Sequence, residues 1–303
     1  MDLRALTWGA CAVLLSGCGT TTREPAAGPS TDSMTVNGAT LVYESRGQGA
    51  PTVVFVHGGF ADRRIWEAQR GAVAPRQRFV AVTLRYFGPE PWPDQGERFS
   101  QETHVQDLVE FIRTLRSGPV VLVGRSYGAY TALVAALRHP ELVRGLVLNE
   151  PPVWSLLTTS SERAALADDL KAMAPVRAAV QAGRNDEATR QFADWVNAEP
   201  GGFDALPETT QRMHLDNART VPLQLASAPR NIPVTCEQVG QLTMPSVVTE
   251  GKLSLASLRL AADALHRCMP GSRLIDIPGA RHDAPRQQPQ AFNEVLLEFL
   301  ATF

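Results

Sequence analysis

The sequence has no run of basic residues, no internal repeat and no apolar stretch long enough to cross a membrane. Its 303 residues include 29 Lys and Arg against 31 Asp and Glu, which gives a net charge of −2. Without a basic stripe, nothing favours a nucleic-acid partner. Hydrophobic residues make up 44% of the chain, which is enough for a sizeable core.

The most distinctive apolar run lies at the N-terminus and is short. It covers 5–15, too few residues to span a bilayer as a finished helix, and is typical of a signal-peptide core. It ends in Leu15-Ser16-Gly17-Cys18, which resembles the bacterial lipobox. We predict a signal peptide over residues 1–17, a lipid on Cys18 and a flexible tether over residues 18–33. An ordinary cleaved signal and a buried N-terminal segment are the alternatives. The expected location is the bacterial cell envelope, outside the cytoplasm, with the lipid holding the protein to the membrane.

Cysteine is scarce, with four in the whole chain. Cys11 leaves with the predicted signal peptide and Cys18 takes the lipid, so Cys236 and Cys268 remain. In an oxidising compartment these two are candidates for a disulfide. Two buried free thiols are the alternative.

Short β-rich runs alternate with amphipathic segments over most of the chain. This alternation predicts an α/β fold with a doubly wound, mostly parallel sheet, because strands buried on both faces form near-continuous apolar runs. Residues 152–241 interrupt the pattern with Ala-rich helical segments and are predicted to form an inserted helical cap in a domain over 34–303. The predicted strands are Thr40–Tyr43, Thr52–Val56, Phe79–Thr83, Val120–Val123, Leu146–Leu148, Ser246–Thr249 and Arg273–Ile277.

The strand Val120–Val123 leads directly into Gly124-Arg125-Ser126-Tyr127-Gly128 and then into an Ala-rich helix. A serine on a sharp strand-to-helix turn needs small residues two before and two after it, because a Cβ there would clash. The helix that follows directs its N-terminus at the place where an oxyanion forms. Gly-x-Ser-x-Gly alone is a weak pattern, but in this setting it predicts Ser126 as a catalytic nucleophile.

Two further segments complete the predicted site. Glycines after His57 allow close approach of the backbone, so the oxyanion donors are predicted to be the N–H of Tyr127 and that of Gly59 or Phe60. His57 itself is expected to hold its loop. A late loop carries His282, which is predicted to be the general base. The histidines at 104, 139, 214 and 266 are expected to be surface or packing residues.

These motifs resemble the α/β-hydrolase superfamily, in its esterase- and lipase-like branch with a helical cap. The resemblance covers about residues 34–303. It rests on His57-Gly58-Gly59, Gly124–Gly128, His139-Pro140-Glu141-Leu142-Val143 and Pro278-Gly279-Ala280-Arg281-His282. It implies the chain order nucleophile, acid, histidine.

The acid departs from the family pattern. Most relatives carry an Asp where this chain has Ser254, which has no charge to orient an imidazolium. Some members place the acid at the end of the preceding strand, and here that position is Glu150. We therefore predict Glu150 as the acid, with Glu250, Asp276 and Asp283 as alternatives. Arg125 stands where His, Trp or Gln is common and is interpreted as a surface charge.

The predicted function is cleavage of a carboxylic ester, thioester, lactone or amide through an acyl-enzyme on Ser126, without a metal or cofactor. The expected partner is a small acyl substrate, and the sequence leaves the oligomeric state open. A cofactor-free haloperoxidase or a carbon–carbon bond hydrolase would use the same three residues. A lipid-anchored binding protein without turnover is the alternative of a different class.

Overall fold

The computed structural model describes residues 31–228 and 231–303. The predicted signal peptide, Cys18 and most of the predicted tether lie outside the described residues. The strands are β1 (Thr31–Val36), β2 (Ala39–Arg46), β3 (Thr52–Val56), β4 (Arg78–Val82), β5 (Val120–Arg125), β6 (Val143–Asn149), β7 (Ser246–Gly251) and β8 (Ser272–Ile277).

The eight described strands form one sheet in the order β1-β2-β4-β3-β5-β6-β7-β8. The first two pairings, β1 with β2 and β2 with β4, are antiparallel, and the other five are parallel. The sheet is therefore mostly parallel, as predicted. Since parallel strands end at the same edge, the segments after β3, β5, β6, β7 and β8 come together at one edge of the sheet.

The sheet begins earlier than the predicted domain boundary. Residues 31–33, which were predicted to belong to the tether, form the first half of β1, so that boundary was wrong. They pair with Val42–Glu44 of β2. Asn37 and Gly38 connect the two strands with φ values of 47° and 76°. Two positive φ values are typical of a tight hairpin turn, and the Asn-Gly pair is the signal that predicts one.

Helices cover both faces of the sheet. They are α1 (Glu67–Val73), α2 (Gln101–Leu115), α3 (Tyr127–Arg138), α4 (Ser160–Ala172), α5 (Ala174–Gln181), α6 (Asn185–Val196), α7 (Glu208–Asp216), α8 (Val221–Ser227), α9 (Cys236–Gly240), α10 (Ala256–Cys268), α11 (Ala284–Gln287) and α12 (Pro289–Leu300). In the part of the chain that the structure describes, none of them is both long and apolar enough to cross a membrane.

Two apolar layers lie on opposite sides of the sheet because successive strand residues point in opposite directions. Val54 and Leu122 belong to the layer beneath α2, α3 and α10. Their neighbours Phe55 and Val123 belong to the layer beneath α1 and α12. These central strands are buried throughout, so both faces must be apolar, which explains their continuous hydrophobic runs.

The segment between β6 and β7, which includes the predicted cap over residues 152–241, contains the helices α4 to α9. A small apolar cluster holds part of this segment over the sheet edge. It joins Val176, Ala188 and Val221 of the helices to Phe60 in the loop after β3. The cap therefore packs directly on the loop that was predicted to supply an oxyanion donor.

Two helices of the cap segment, α9 and α4, contact α10. A disulfide joins Cys236, the first residue of α9, to Cys268, the last residue of α10. The Nη2 of Arg267 also lies 2.9 Å from Oε1 of Glu162 in α4. The disulfide and this ion pair are two of the contacts that connect the inserted helices to the domain that carries the sheet.

Candidate active site

Ser126 is the single residue between β5 and α3. Its φ of 52° and ψ of −121° lie in a region that non-glycine residues rarely adopt. A Cβ on Gly128 would lie 2.1 Å from the carbonyl oxygen of His57, and one on Gly124 would lie 2.5 Å from Cα of Ala129. The turn therefore needs glycine on both sides, and it presents Ser126 at the carboxyl edge of the sheet.

His282 and Glu150 form a buried pair near this edge. Nδ1 of His282 lies 2.5 Å from Oε2 of Glu150, and Oε1 of Glu150 accepts a hydrogen bond of 2.7 Å from the N–H of Gly251. A carboxylate that accepts on both oxygens requires the imidazole proton to sit on Nδ1. Nε2 of His282 is then left with its lone pair, the form that a general base needs.

The other predicted candidates for the acid have different partners. Oε1 of Glu250 accepts a hydrogen bond of 3.2 Å from an arginine of α10, and burial, together with Asp276, raises the pKa of Glu250 to about 8. Asp276 pairs with a lysine at 2.7 Å, and Asp283 pairs with two arginines. Among the carboxylates of residues 31–228 and 231–303, Glu150 alone bonds to His282.

The loop after β3 is held by its own histidine. Nδ1–H of His57 donates to the carbonyl of Gly58 at 2.7 Å, and Nε2 accepts from the N–H of Leu84 at 3.0 Å. Burial lowers the pKa of His57 to about 4, so the ring is neutral at pH 7. Both ring nitrogens are used within the scaffold, as the sequence predicted. Phe60, in the same loop, has a φ of 57°, a backbone conformation that is uncommon for a bulky residue.

His214 of α7, which was expected to be a surface or packing residue, is a packing residue. The ring is buried, and its Nδ1–H donates to the carbonyl oxygen of Phe60 at 2.7 Å. Burial lowers the pKa of His214, which keeps the ring neutral at pH 7. The cap thus supplies a hydrogen bond that supports the conformation of the loop beside Ser126.

A second buried histidine lies behind the start of α3. Nε2–H of His104 donates to the carbonyl of Arg85 at 3.0 Å, and Nδ1 accepts from the hydroxyl of Tyr127 at 2.7 Å. Burial lowers the pKa of His104 to about 3. This histidine is a packing residue, as expected, and it anchors the side chain that follows Ser126.

Arg125 is not a surface charge, contrary to the interpretation from sequence. Its side chain is 4% exposed, and Nε lies 3.0 Å from Oδ1 of Asp283. The other carboxylate oxygen, Oδ2, bonds to Nε of Arg286 at 2.5 Å. Burial opposes the charged form of Asp283, but the two guanidinium groups prevail and lower the pKa of its carboxyl to about 2. Arg125 could not be recognised as buried from sequence, because its acidic partner is remote in the chain.

Ser126 and His282 line the same small cavity, of about 20 Å³, between the sheet edge and the cap. Gly59 and Phe60 form one side of it, and Phe192 of α6 packs on Phe60 with ring centroids 4.0 Å apart. The remaining lining residues are Arg125, Thr189, Ala193, Val196, Asn197, Leu206, His214, Asp283 and Arg286.

The cavity holds about one water-sized sphere, which is less space than an ester substrate occupies. Among the described residues there is no group of three or more His, Cys, Asp or Glu side chains that could hold a metal ion.

The sequence matches the family model described as "Alpha/beta hydrolase family" over residues 53–295. This match covers most of the chain and includes every residue of the site. The chain therefore belongs to the alpha/beta hydrolase family, and its similarity to characterised members identifies it as a hydrolase.

Two curated relatives are similar over most of their length. One is the 2-(acetamidomethylene)succinate hydrolase of Mesorhizobium japonicum, which is 24% identical over 86% of this chain and 91% of its own. The other is the serine hydrolase BPHL of Mus musculus, which is 26% identical over 88% of this chain and 84% of its own. The solved structure of carboxylesterase CesB from Bacillus subtilis superimposes with a TM-score of 0.72 at 15% identity, covering 92% of this chain and 93% of that one. At this identity the likeness shows the fold alone.

Proposed function

We propose that this protein is a serine hydrolase that cleaves a carboxylic ester through an acyl-enzyme on Ser126. The observation that carries the proposal is the buried contact of 2.5 Å between His282 and Glu150, beside a serine in a strained turn. Because Glu150 holds the proton on Nδ1, Nε2 of His282 accepts the proton of Ser126 as the hydroxyl attacks the carbonyl carbon.

The developing oxyanion is stabilised by backbone N–H groups. Tyr127 is the first residue of α3, and the N–H of a first helical residue has no partner within its helix. Phe60 supplies the second donor from the loop that His214 supports. His282 then returns its proton to the departing alcohol, and water attacks the acyl-enzyme by the same route to release the acid. Thioesters, lactones and amides fit the same chemistry.

Labelling with a fluorophosphonate probe tests this proposal, because the probe reacts only with an activated serine. The wild type is expected to be labelled and to hydrolyse p-nitrophenyl butyrate, whereas Ser126→Ala is expected to do neither. A correctly folded wild type that is not labelled would favour the binding protein instead. If it is labelled but hydrolyses no ester, thioester or amide, the carbon–carbon hydrolase is favoured.

We also propose that the protein is anchored by a lipid on Cys18 and faces an oxidising compartment. The apolar run before Cys18 supports the anchor, and the pair Cys236–Cys268 is consistent with export. Incorporation of labelled palmitate into the wild type, and its loss in Cys18→Ser, is the expected result. Equal incorporation in both proteins would refute the anchor.

A further inference from the structure

Arg125 is a buried cation beside the nucleophile that the proposed mechanism does not use. Within the described residues its side chain makes one ion pair, to Asp283, and donates no hydrogen bond. The contact at 3.0 Å lacks hydrogen-bond geometry, since Nε of Arg125 and Oδ1 of Asp283 are both buried without a hydrogen-bond partner. A guanidinium has five N–H donors, and leaving the buried Nε donor without a partner is costly.

Asp283 does not neutralise the cavity wall. Its carboxylate is shared between Arg125 and Arg286, so two positive charges face one negative charge and one positive charge remains. All three residues line the cavity beside Ser126. The nearby carboxylate of Glu150 attracts Arg125, but its two oxygens are already occupied and it is not among the residues that line the cavity.

The position of the Arg125 guanidinium is defined by the glycine loop. A Cβ built on Gly58 would lie 2.9 Å from Nη1 of Arg125 and 3.2 Å from Cβ of Ser126. The end of the arginine side chain and the nucleophile therefore approach the same point of the loop. A group held by Arg125 would lie within a few bonds of a carbonyl held at Ser126.

We propose that Arg125 binds a carboxylate of the substrate, so that the preferred substrates are short esters whose acyl part carries a free carboxylate. This proposal rests on the proposed function and specifies its substrate class. The planar fork of a guanidinium matches the two oxygens of a carboxylate. The apolar side chains of Val196 and Leu206 on the cavity wall suit the methylene groups between the carboxylate and the ester.

The test compares two alkyl esters that differ in charge, monomethyl succinate and dimethyl succinate, with hydrolysis followed by the release of acid. The wild type is expected to show a kcat/KM for the charged ester roughly ten- to a hundredfold above that for the neutral one. Arg125→Met is expected to lose this preference while it still hydrolyses the neutral ester. Arg138→Met, on the outer side of α3, removes the same charge and is expected to keep the preference.

A binding measurement keeps the substrate proposal separate from the catalytic one. Calorimetry with monomethyl succinate is expected to show binding to Ser126→Ala and none to Ser126→Ala/Arg125→Met. If no ester is hydrolysed, the proposed function fails, but this comparison still decides the role of Arg125. If Arg125→Met does not fold, Arg125→Lys serves in its place, with a reduced preference expected. A wild type that prefers the neutral ester, or equal binding by both variants, would overturn the carboxylate site.

Discussion

Glu150, the proposed acid, lies at a strand end different from the one where most of the family carries its Asp. It follows the last residue of β6, and its φ of 42° turns the chain out of the strand at the sheet edge. From there its side chain reaches His282 on one oxygen and the N–H of Gly251 on the other. Glutamate has one methylene more than aspartate, which allows it to cross from the neighbouring strand end.

Replacement of the Glu150 carboxylate should show whether Glu150 or another candidate is the catalytic acid. Glu150→Gln keeps the shape of the side chain but removes the charge that stabilises the imidazolium, so kcat is expected to fall roughly 10²- to 10⁴-fold. Glu250→Gln is expected to keep near wild-type kcat, because Glu250 pairs with Arg259 instead of His282. Turnover of p-nitrophenyl butyrate measures both. If Glu150→Gln kept near-normal kcat, Glu150 would not be the acid.

His214 provides a second prediction for a single side chain. His214→Ala removes the hydrogen bond to the carbonyl of Phe60 and is expected to lower kcat about tenfold with little change in KM, because the oxyanion donor is less well held. His214→Asn has a donor N–H close to the position of Nδ1 and is expected to recover much of the loss. A purely structural role would show as loss of stability, with kcat unchanged.

The nucleophile turn is an element whose shape depends on its glycines. Gly128→Ala places a methyl group against the carbonyl oxygens of His57 and Val56 and is expected to lower the free energy of unfolding by roughly 1–3 kcal/mol. Gly71→Ala is the matched control, since a Cβ at Gly71 meets nothing within 4 Å. In the middle of α1 it is expected to raise stability by about 0.5–1 kcal/mol. Urea unfolding measures both, and equal effects would contradict the packing argument.

The strand ends of β7 and β8 carry a pH-dependent contribution to stability. Burial and Asp276 raise the pKa of Glu250 to about 8, above its ordinary value of 4.5. Between these values the folded protein holds one proton more than the unfolded chain, so the free energy of unfolding falls as pH rises. From pH 5 to pH 8 the loss attributable to Glu250 is roughly 1–3 kcal/mol.

Urea unfolding at these two pH values tests the prediction. Glu250→Gln does not titrate and is expected to flatten the slope, whereas Glu298→Gln, at an exposed position of α12, is expected to leave it unchanged. The same slope in the wild type and in Glu250→Gln would show that Glu250 is ionised in the folded protein at both pH values.

At the scale of the whole molecule, the disulfide connects the cap segment to the sheet domain. Cys236 and Cys268 are 32 residues apart in the chain, and closing a loop of this length is expected to contribute about 3–4 kcal/mol by restricting the unfolded chain. Cys236→Ser/Cys268→Ser should lose that amount in urea unfolding. The rate at which the double variant turns over p-nitrophenyl butyrate at 25 °C should equal that of the wild type, because neither cysteine lines the cavity. A double variant as stable as the wild type would contradict this estimate.

The sequence determined the buried strands, the nucleophile turn and the late histidine loop, because these depend on local patterns: apolar runs, glycines at fixed spacing and the order of motifs along the chain. It did not indicate β1, whose outer half is polar and exposed, since a strand on the edge of a sheet need not be apolar. Its one local signal was the Asn37-Gly38 turn.

Only the tertiary structure decided which remote side chains meet. Of the four carboxylates that the sequence offered, it brought Glu150 to His282 across 132 positions, and it brought His214 to the loop of Phe60 across 154. It also placed Arg125 in a buried contact with Asp283. The sequence had been interpreted as placing this arginine on the surface, but its side chain lies beside Ser126. Such pairs depend on the order of strands in the sheet and the packing of the cap, and no local pattern encodes them. The type of reaction is therefore predictable from sequence motifs. The charge of the site and its selectivity for substrates depend on the fold.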